Sequence, residues 1–313
     1  MQVMRAIALD EYGEPEVMAV RELPDPPVGP DVVRIRVRAA GVNPVDCRIR
    51  QGHLRGAFPH QTPVVPDWDV AGVVDQVGPA VTRFKQGDEV MAYARKETVQ
   101  HGTYAELVSV AERSVAHKPA GLSFAEAGGL PLAGLTAAQA LTAIGVAPGD
   151  VVLVHAAAGG VGHLAVQIAR ALGAQLVIGT ASPSNHDFLY SLGAEPVEYG
   201  PELPKQLADV VGGDGRVDAV VDFAGGEALR QSPGLIRHPA RLASVVDPAV
   251  KEQGGRYVFV RPDGVQLESL SALAGVGRLR VEVSHEVPLA EAARAHELVE
   301  KGHGRGKVVL TVD

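Results

Sequence analysis

The stretch HAAAGGVGHLA, residues 155–165, carries the clearest chemistry in the chain. Gly160 and Gly162 with Ala165 fit the spacing G-x-G-x-x-G/A, in which glycine permits a tight turn and lets a pyrophosphate approach the backbone. An apolar run at 151–157 precedes it, and Val161, Leu164, Ala165, Ile168, Ala169 and Leu172 follow at helical spacing. A helix N-terminus presents unpaired N–H groups and a favourable dipole, so Gly159, Gly160, Val161 and Gly162 are expected to cradle a dinucleotide. An ordinary glycine turn is the alternative, which the flanking strand and helix disfavour.

The end of the next strand reports on the cofactor, because an acid there binds a ribose 2′-hydroxyl and repels a 2′-phosphate. This strand ends GTASPSNH, with no acid before Asp187. Thr180, Ser182, Ser184 and Asn185, with His186, offer hydrogen bonds instead, and NADPH is expected over NADH although no Arg or Lys lies in the segment. In VVDFAGG, Phe223, Ala224 and Gly225 are counted with the cofactor residues, while Asp222 reads as a strand-end turn residue.

These residues need elements to hold them. In VVRIRVRAAGV, residues 32–42, Val33, Ile35 and Val37 alternate with Arg34, Arg36 and Arg38, as in a strand with one buried and one wet face. Similar runs at 70–77, 89–93 and 104–110, punctuated by Gly, Pro and Asp, predict a β-rich first domain. Beyond about Gly121, strands at 175–180, 217–223, 242–246 and 257–260 alternate with helical patterns, which implies a parallel sheet with crossover helices. The tail from Gly264 reads helix, strand, helix, strand, with its last helix at 289–301 stopped by Gly302.

At 313 residues the chain exceeds what one hydrophobic core usually organises. It has no run of about 20 apolar residues and no leader pattern, and a cytoplasmic protein is expected. A net charge of −8 without a basic tract argues against nucleic acid as a partner. Cys47 is the only cysteine, which excludes an internal disulfide and a multi-thiolate metal centre. The eleven histidines show no ligand spacing, and no metal is expected.

Taken together, MRAIALDEYGEPEVM, AAGVNPVDCRIRQG, VAGVVDQVG, GDEVMA, GLTAAQAL, AAAGGVGHLAVQIARALGA and AHELVEKGHGRGKVVL resemble, in this order, the medium-chain dehydrogenase/reductase superfamily. Within it the chain is most similar to the zinc-free quinone oxidoreductase branch. The resemblance implies an α/β protein: a GroES-like β-barrel catalytic domain at 1–121, a Rossmann NADP-binding domain at 122–262, and a C-terminal return to the first domain at 263–313. It also suggests a homodimer formed through the Rossmann domains.

Asn43 stands where zinc alcohol dehydrogenases carry a ligating cysteine, and Trp68, in PDWDVAG, where they carry a ligating histidine. The resemblance makes Asn43 the active-site floor, donating its amide to a substrate carbonyl or ordering the nicotinamide ribose; a turn residue before Pro44 is the alternative. Asp46 is implied near the cofactor or as a helix cap, Thr136 at the nicotinamide, and Tyr199 at the adenosine phosphate or in packing. Where some relatives have a substrate-binding tyrosine, this chain has Cys47, Arg48, Ile49 and Arg50. Cys47 reads as a small buried residue, Trp68 as a cleft wall or core aromatic, and Asp67 and Asp69 as a solvated turn.

Without a Lewis acid, hydride transfer favours substrates that spread negative charge by conjugation, so a quinone or an enone is the expected small-molecule substrate. The product anion could take its proton from water. An enoyl-thioester reductase and a non-catalytic NADPH-binding regulator are the competing readings.

Overall fold

The computed structural model describes residues 2–302 and 304–313. The chain divides into two compact units: Met1–Leu132, Pro262–Gly277 and Val281–Asp313 in the first, Ala133–Arg261 and Arg278–Arg280 in the second.

In the first unit, β1 (Val3–Ala8) and β2 (Ala19–Pro24) form an antiparallel pair. Strand β3 (Val32–Val42) keeps the alternation of its sequence, with Val33, Ile35 and Val37 buried and Arg36 and Arg38 exposed. Helix α1 (Pro44–Arg50) starts two residues later, where Pro44 lacks the N–H that a first helical turn leaves unpaired anyway. Next come β4 (His60–Val65), β5 (Asp69–Val77), β6 (Glu89–Tyr93), β7 (Val99–His101), β8 (Leu107–Ala111), β9 (Val115–His117) and α2 (Phe124–Gly129). Strand β3 pairs antiparallel with β5 and β8, and β5 passes the ladder to β6 and β9.

Helix α3 (Pro131–Ala143) carries the chain into the second unit, which continues β10 (Val151–Val154), α4 (Gly162–Ala171), β11 (Leu176–Thr180), α5 (His186–Leu192), β12 (Glu195–Val197), α6 (Leu203–Val211), β13 (Ala219–Asp222), α7 (Gly226–Leu235), β14 (Leu242–Ser244) and β15 (Arg256–Tyr257). All six strands are parallel, in the order β12-β11-β10-β13-β14-β15. This is the doubly wound arrangement in which the strand order reverses beside the first strand, here between β10 and β13. Leu153, Ile178, Val220 and Leu242 lie in one core cluster with Leu203, Leu207 and Leu229, so the central strands are apolar as a buried parallel sheet requires.

The tail supplies α8 (Gly264–Gly275), β16 (Val283–Pro288), α9 (Ala292–Glu300) and β17 (Lys307–Thr311). Strand β17 pairs antiparallel with β3 and carries β16, so the last strand completes the sheet of the first unit. Leu310 and Val308 join a core cluster with Met4, Ile7, Ala40 and Val42. The last helix is shorter than its sequence pattern, because Leu289–Glu291 form a 3-10 turn before it.

The boundary expected at Gly121 moves. Residues 122–132 belong to the first unit, where Ala125 packs with Ala39 and Val309 and the Leu132 N–H donates to Asp69 at 2.6 Å. Residues Arg278–Arg280 go to the second unit, because Gln167 takes both the N–H and the carbonyl of Arg280. Among the described residues, no helix is long and apolar enough to cross a membrane.

Candidate active site

In the second unit most of the expected cofactor residues gather at the carboxyl ends of β10, β11 and β13, while Tyr199 follows β12 and Thr136 lies on α3. Beyond β10 the backbone turns at Ala156, whose φ of 54° is rare for a residue with a side chain. Gly162 opens α4 in the crook of that turn. A Cβ there would strike the Ala156 carbonyl and lie 2.7 Å from the Ala157 Cα, so only glycine lets the helix start this close to the strand. Gly159, Gly160 and Val161 are half-buried around it.

His155, the first residue of the motif, is fully buried; its Nε2 faces the Ser232 hydroxyl at 3.2 Å and its Nδ1 faces Thr180 Oγ1 at 3.4 Å. Burial pushes its pKa down to about 4 against the pull of Asp222, so it is neutral. The Thr180 hydroxyl also accepts the Ala156 N–H at 3.1 Å and is buried. The expectation that Thr180 offers its hydroxyl to a phosphate is therefore corrected: it ties β11 to the β10 turn. Ser182, Ser184 and Asn185 fit that task better. The Ser182 hydroxyl lies 3.0 Å from that of Ser184 and accepts from the Asn185 amide at 3.2 Å, in a turn where Ser184 is exposed and Ser182 and Asn185 are half-buried. The adjoining His186 has a buried Nε2 with no partner among the described residues.

Asp222 accepts the N–H groups of Ala224 and Gly225 at 3.0 and 2.8 Å and the Ser244 hydroxyl at 2.7 Å, so it shapes the turn that presents Phe223, Ala224 and Gly225. Tyr199, beyond β12, is 58% exposed, which rules out the packing alternative. Thr136 is buried on α3.

The first unit holds a second polar constellation. Asn43 caps α1 and is 2% exposed. Its Nδ2 donates to the Gly41 carbonyl at 2.8 Å and to Asp69 Oδ2 at 2.9 Å, and its Oδ1 accepts from Lys307 Nζ at 2.5 Å. Both amide hydrogens are thus committed, and the role expected for them on a substrate carbonyl or ribose is corrected to holding the turn between β3 and α1. Gly41 makes room for this, since a Cβ there would meet Asp69 Oδ2 at 2.9 Å. Lys307, at the head of β17, is 3% exposed, donates also to the Val42 carbonyl at 3.2 Å and lies 3.8 Å from Asp69 Oδ2.

Asp67 and Asp69 are both fully buried, and the solvated turn expected for them is overturned. Asp69 is held by Lys307, by Asn43 and by the Leu132 N–H; burial nevertheless pushes its pKa up to about 6, which leaves it ionised at neutral pH. Asp67 accepts the Thr103 hydroxyl at 2.5 Å and the Asp69 N–H at 3.1 Å. Asp46, also fully buried, accepts the Asn43 N–H at 2.7 Å and so has the capping role. Trp68 is a core aromatic, with ring centres 5.9 Å from Phe58 and 6.2 Å from Tyr93. Cys47 is buried and its thiol is pushed up to about 12, chiefly by desolvation, so it is no nucleophile.

Sequence reasoning missed Lys307, Thr103 and the true standing of Asp67 and Asp69. Their only signal was a lysine heading the apolar run VVL, and two acids leading straight into the apolar run VAGVV. Among the described residues, no group of three or more His, Cys, Asp or Glu side chains could hold a metal ion.

A glycine turn at the switch point of a six-stranded parallel sheet is the geometry of a dinucleotide-binding domain, and the chain is of the pyridine-nucleotide-dependent dehydrogenase class. Comparison with known proteins narrows this. Residues 29–120 match the alcohol dehydrogenase GroES-like domain, and residues 193–310 match the zinc-binding dehydrogenase family. The chain is 34% identical to an NADPH-dependent alkenal/one oxidoreductase of Arabidopsis thaliana, over 98% of its own length and 79% of the relative's. It is 32% identical to a quinone oxidoreductase of Pseudomonas aeruginosa, over 98% and 99%. The solved quinone oxidoreductase of Coxiella burnetii superposes with a TM-score of 0.87 at 35% identity, over the whole of both chains. The chain belongs to the medium-chain dehydrogenase/reductase superfamily, in the quinone oxidoreductase branch, and is an enzyme acting on a small molecule.

Proposed function

We propose that the chain reduces quinones or other conjugated carbonyl compounds with NADPH, without zinc. The observation that carries the metal-free reading is the chemistry of two positions: Asn43, saturated by Lys307, Asp69 and Gly41, and Trp68, packed between Phe58 and Tyr93. Neither side chain is a zinc ligand. Full-length similarity to an alkenal/one oxidoreductase and to quinone oxidoreductases supports the substrate class.

NADPH, when bound, supplies the hydride, and the pyrophosphate would lie against Gly159, Gly160, Val161 and Gly162 at the start of α4. Ser182, Ser184 and Asn185 would hold the 2′-phosphate at the end of β11, a segment with no acid before Asp187. Thr180 would brace this turn from beneath. Phe223, Ala224 and Gly225 would line the dinucleotide beside β13, Tyr199 would lie toward its adenosine phosphate, and Thr136 would meet the nicotinamide. Asn43 and Asp46 act as one unit that fixes the β3–α1 turn at the substrate end. Conjugation in the substrate spreads the charge that a metal would otherwise neutralise, and water can return the proton. A homodimer built through the second unit and a cytoplasmic location belong to the same reading, carried by family membership.

The test is NADPH oxidation by chelator-treated protein against quinones, linear enones, enoyl thioesters and simple aldehydes, repeated with NADH. Turnover of quinones or enones with NADPH preferred is expected. Preference for enoyl thioesters, activity only on adding zinc, or NADPH binding without any turnover would each contradict the proposal.

A further inference from the structure

The chain carries a net charge of −8, yet residues 48–66 hold three arginines and two histidines and no acid. Residues 94–105 add Arg95, Lys96 and His101 against one acid, Glu97. Strands β4 and β7 lie in these two stretches and pair with each other, His60 opposite Val99 and Val65 opposite His101. The two basic stretches therefore form one lobe of the first unit. Glu300 takes the Arg50 guanidinium at 2.6 Å, but among the described residues no carboxylate pairs with Arg48, Arg55 or Lys96.

This lobe adjoins the substrate end. It begins in the last turn of α1, the helix that Asn43 caps, and its Phe58 packs on Trp68 with ring centres 5.9 Å apart. Arg95 lies over both Phe58 and Tyr93, its guanidinium carbon 5.8 Å from each ring centre. Arg55 lies over the Tyr12 ring at 4.9 Å and its Nε donates to the Gly52 carbonyl at 3.3 Å, which leaves its two terminal nitrogens without a hydrogen-bond partner among the described residues. The Tyr12 hydroxyl in turn is 2.9 Å from His60 Nδ1, and Lys96 Nζ donates to the His101 carbonyl at 2.8 Å. Rings and carbonyls thus hold Arg55, Arg95 and Lys96 in place, and a stacked guanidinium keeps its edge for an anion.

The titratable groups feel the same imbalance. Burial lowers Lys96 to about 8; burial first, then the charge of Lys96, lowers His101, and burial first, then Arg55, lowers His60. An anion brought to the lobe relieves this repulsion.

We propose that the β4–β7 lobe binds an anionic group of the substrate, so that the compound reduced is a conjugated carbonyl with a carboxylate or phosphate remote from the reacting carbon. The carbonyl chemistry rests on the proposed function; the affinity of the lobe for an anion does not. Phe58 supplies an apolar surface for the chain of such a compound, and Arg55, Arg95 and Lys96 supply the charge at its end.

The test compares a linear enone ending in a carboxylate, insulated from the enone by a saturated chain, with its methyl ester and with the matching phosphonate. At low ionic strength kcat/KM should be higher for one or both anions than for the ester, and the larger value names the anion. The anion-to-ester ratio should fall as salt is added, because salt screens the pairing. It should also fall about two- to fivefold in each of Arg55→Gln and Lys96→Gln, the worth of one partly exposed ion pair. Arg230→Gln, which removes an exposed arginine paired with Glu227 on α7, should leave the ratio unchanged. An ester reduced as well as both anions, a ratio indifferent to salt and to both lobe variants, or an equal fall in Arg230→Gln overturns the inference and leaves the proposed function standing. If none of the three compounds is reduced, the proposed function fails, and isothermal titration of the NADP+-loaded protein with the acid, the phosphonate and the ester decides the lobe: tighter binding of an anion supports it, and equal binding of all three overturns it.

Discussion

Replacing Lys307 with methionine keeps the length of the side chain and removes its charge. The ammonium is 3.8 Å from Asp69 Oδ2 in a site where Lys307 is 3% and Asp69 0% exposed. At an effective dielectric of about 20 their attraction is on the order of 4 kcal/mol. That agrees with the roughly 3–5 kcal/mol lost when one member of a buried ion pair is removed and the other stays charged. The variant also strips Asn43 Oδ1 and the Val42 carbonyl of their donor. Trp68 is the only tryptophan and sits between Asp67 and Asp69, so urea unfolding followed by its fluorescence reports this unit directly. Lys307→Met should lose about 3–5 kcal/mol at pH 7 and regain much of it at pH 5, where Asp69 protonates. Adding Asp69→Asn should recover part of the loss at pH 7 as well. A loss below about 1 kcal/mol, the size of an exposed pair, or a loss independent of pH, would refute the argument that this lysine neutralises a buried carboxylate.

The wild type should itself become less stable as pH rises. Asp46 and Asp69 are raised in the folded state to about 8 and about 6, so their stabilising protonation is complete below the unfolded values near 3.8 and is lost as pH climbs through the folded ones; urea midpoints at pH 5 and pH 9 check this. Cys47 should react with an aromatic disulfide reagent only as fast as the native protein opens, and rapid stoichiometric labelling would show the burial to be wrong. Thr180→Val should cost about 1 kcal/mol of stability and leave the ratio of NADPH to NADH affinity unchanged, whereas Ser182→Ala with Asn185→Ala should lower that ratio severalfold; isothermal titration separates the two.

Much of the fold was legible because it is written in periodicity. The alternation of Val33, Ile35 and Val37 against arginines marked β3, and apolar strands alternating with helical patterns marked the parallel sheet. The glycine turn was legible because Gly162 has no substitute where α4 starts against Ala156. The polar site of the first unit was not. Lys307 and Asn43 are 264 residues apart, and only the antiparallel pairing of β17 with β3 brings them together. Asp67 and Asp69 looked solvated because two carboxylates two residues apart on an extended segment usually are, and burial is a tertiary property that local composition does not carry. Thr180 was the right type of residue at the right strand end, but its hydroxyl already served the Ala156 N–H. The boundary near Gly121 slipped because Ala125 packs against Ala39 and Val309, which no local breaker announces.

The most direct test of the central claim is to follow ring-deuterated NADPH with chelator-treated protein and a linear enone. The account predicts deuterium on the β-carbon of the saturated product and a solvent-derived hydrogen on the α-carbon, at a rate that added zinc does not change. Product free of the label, or label transfer that appears only when zinc is supplied, would contradict it.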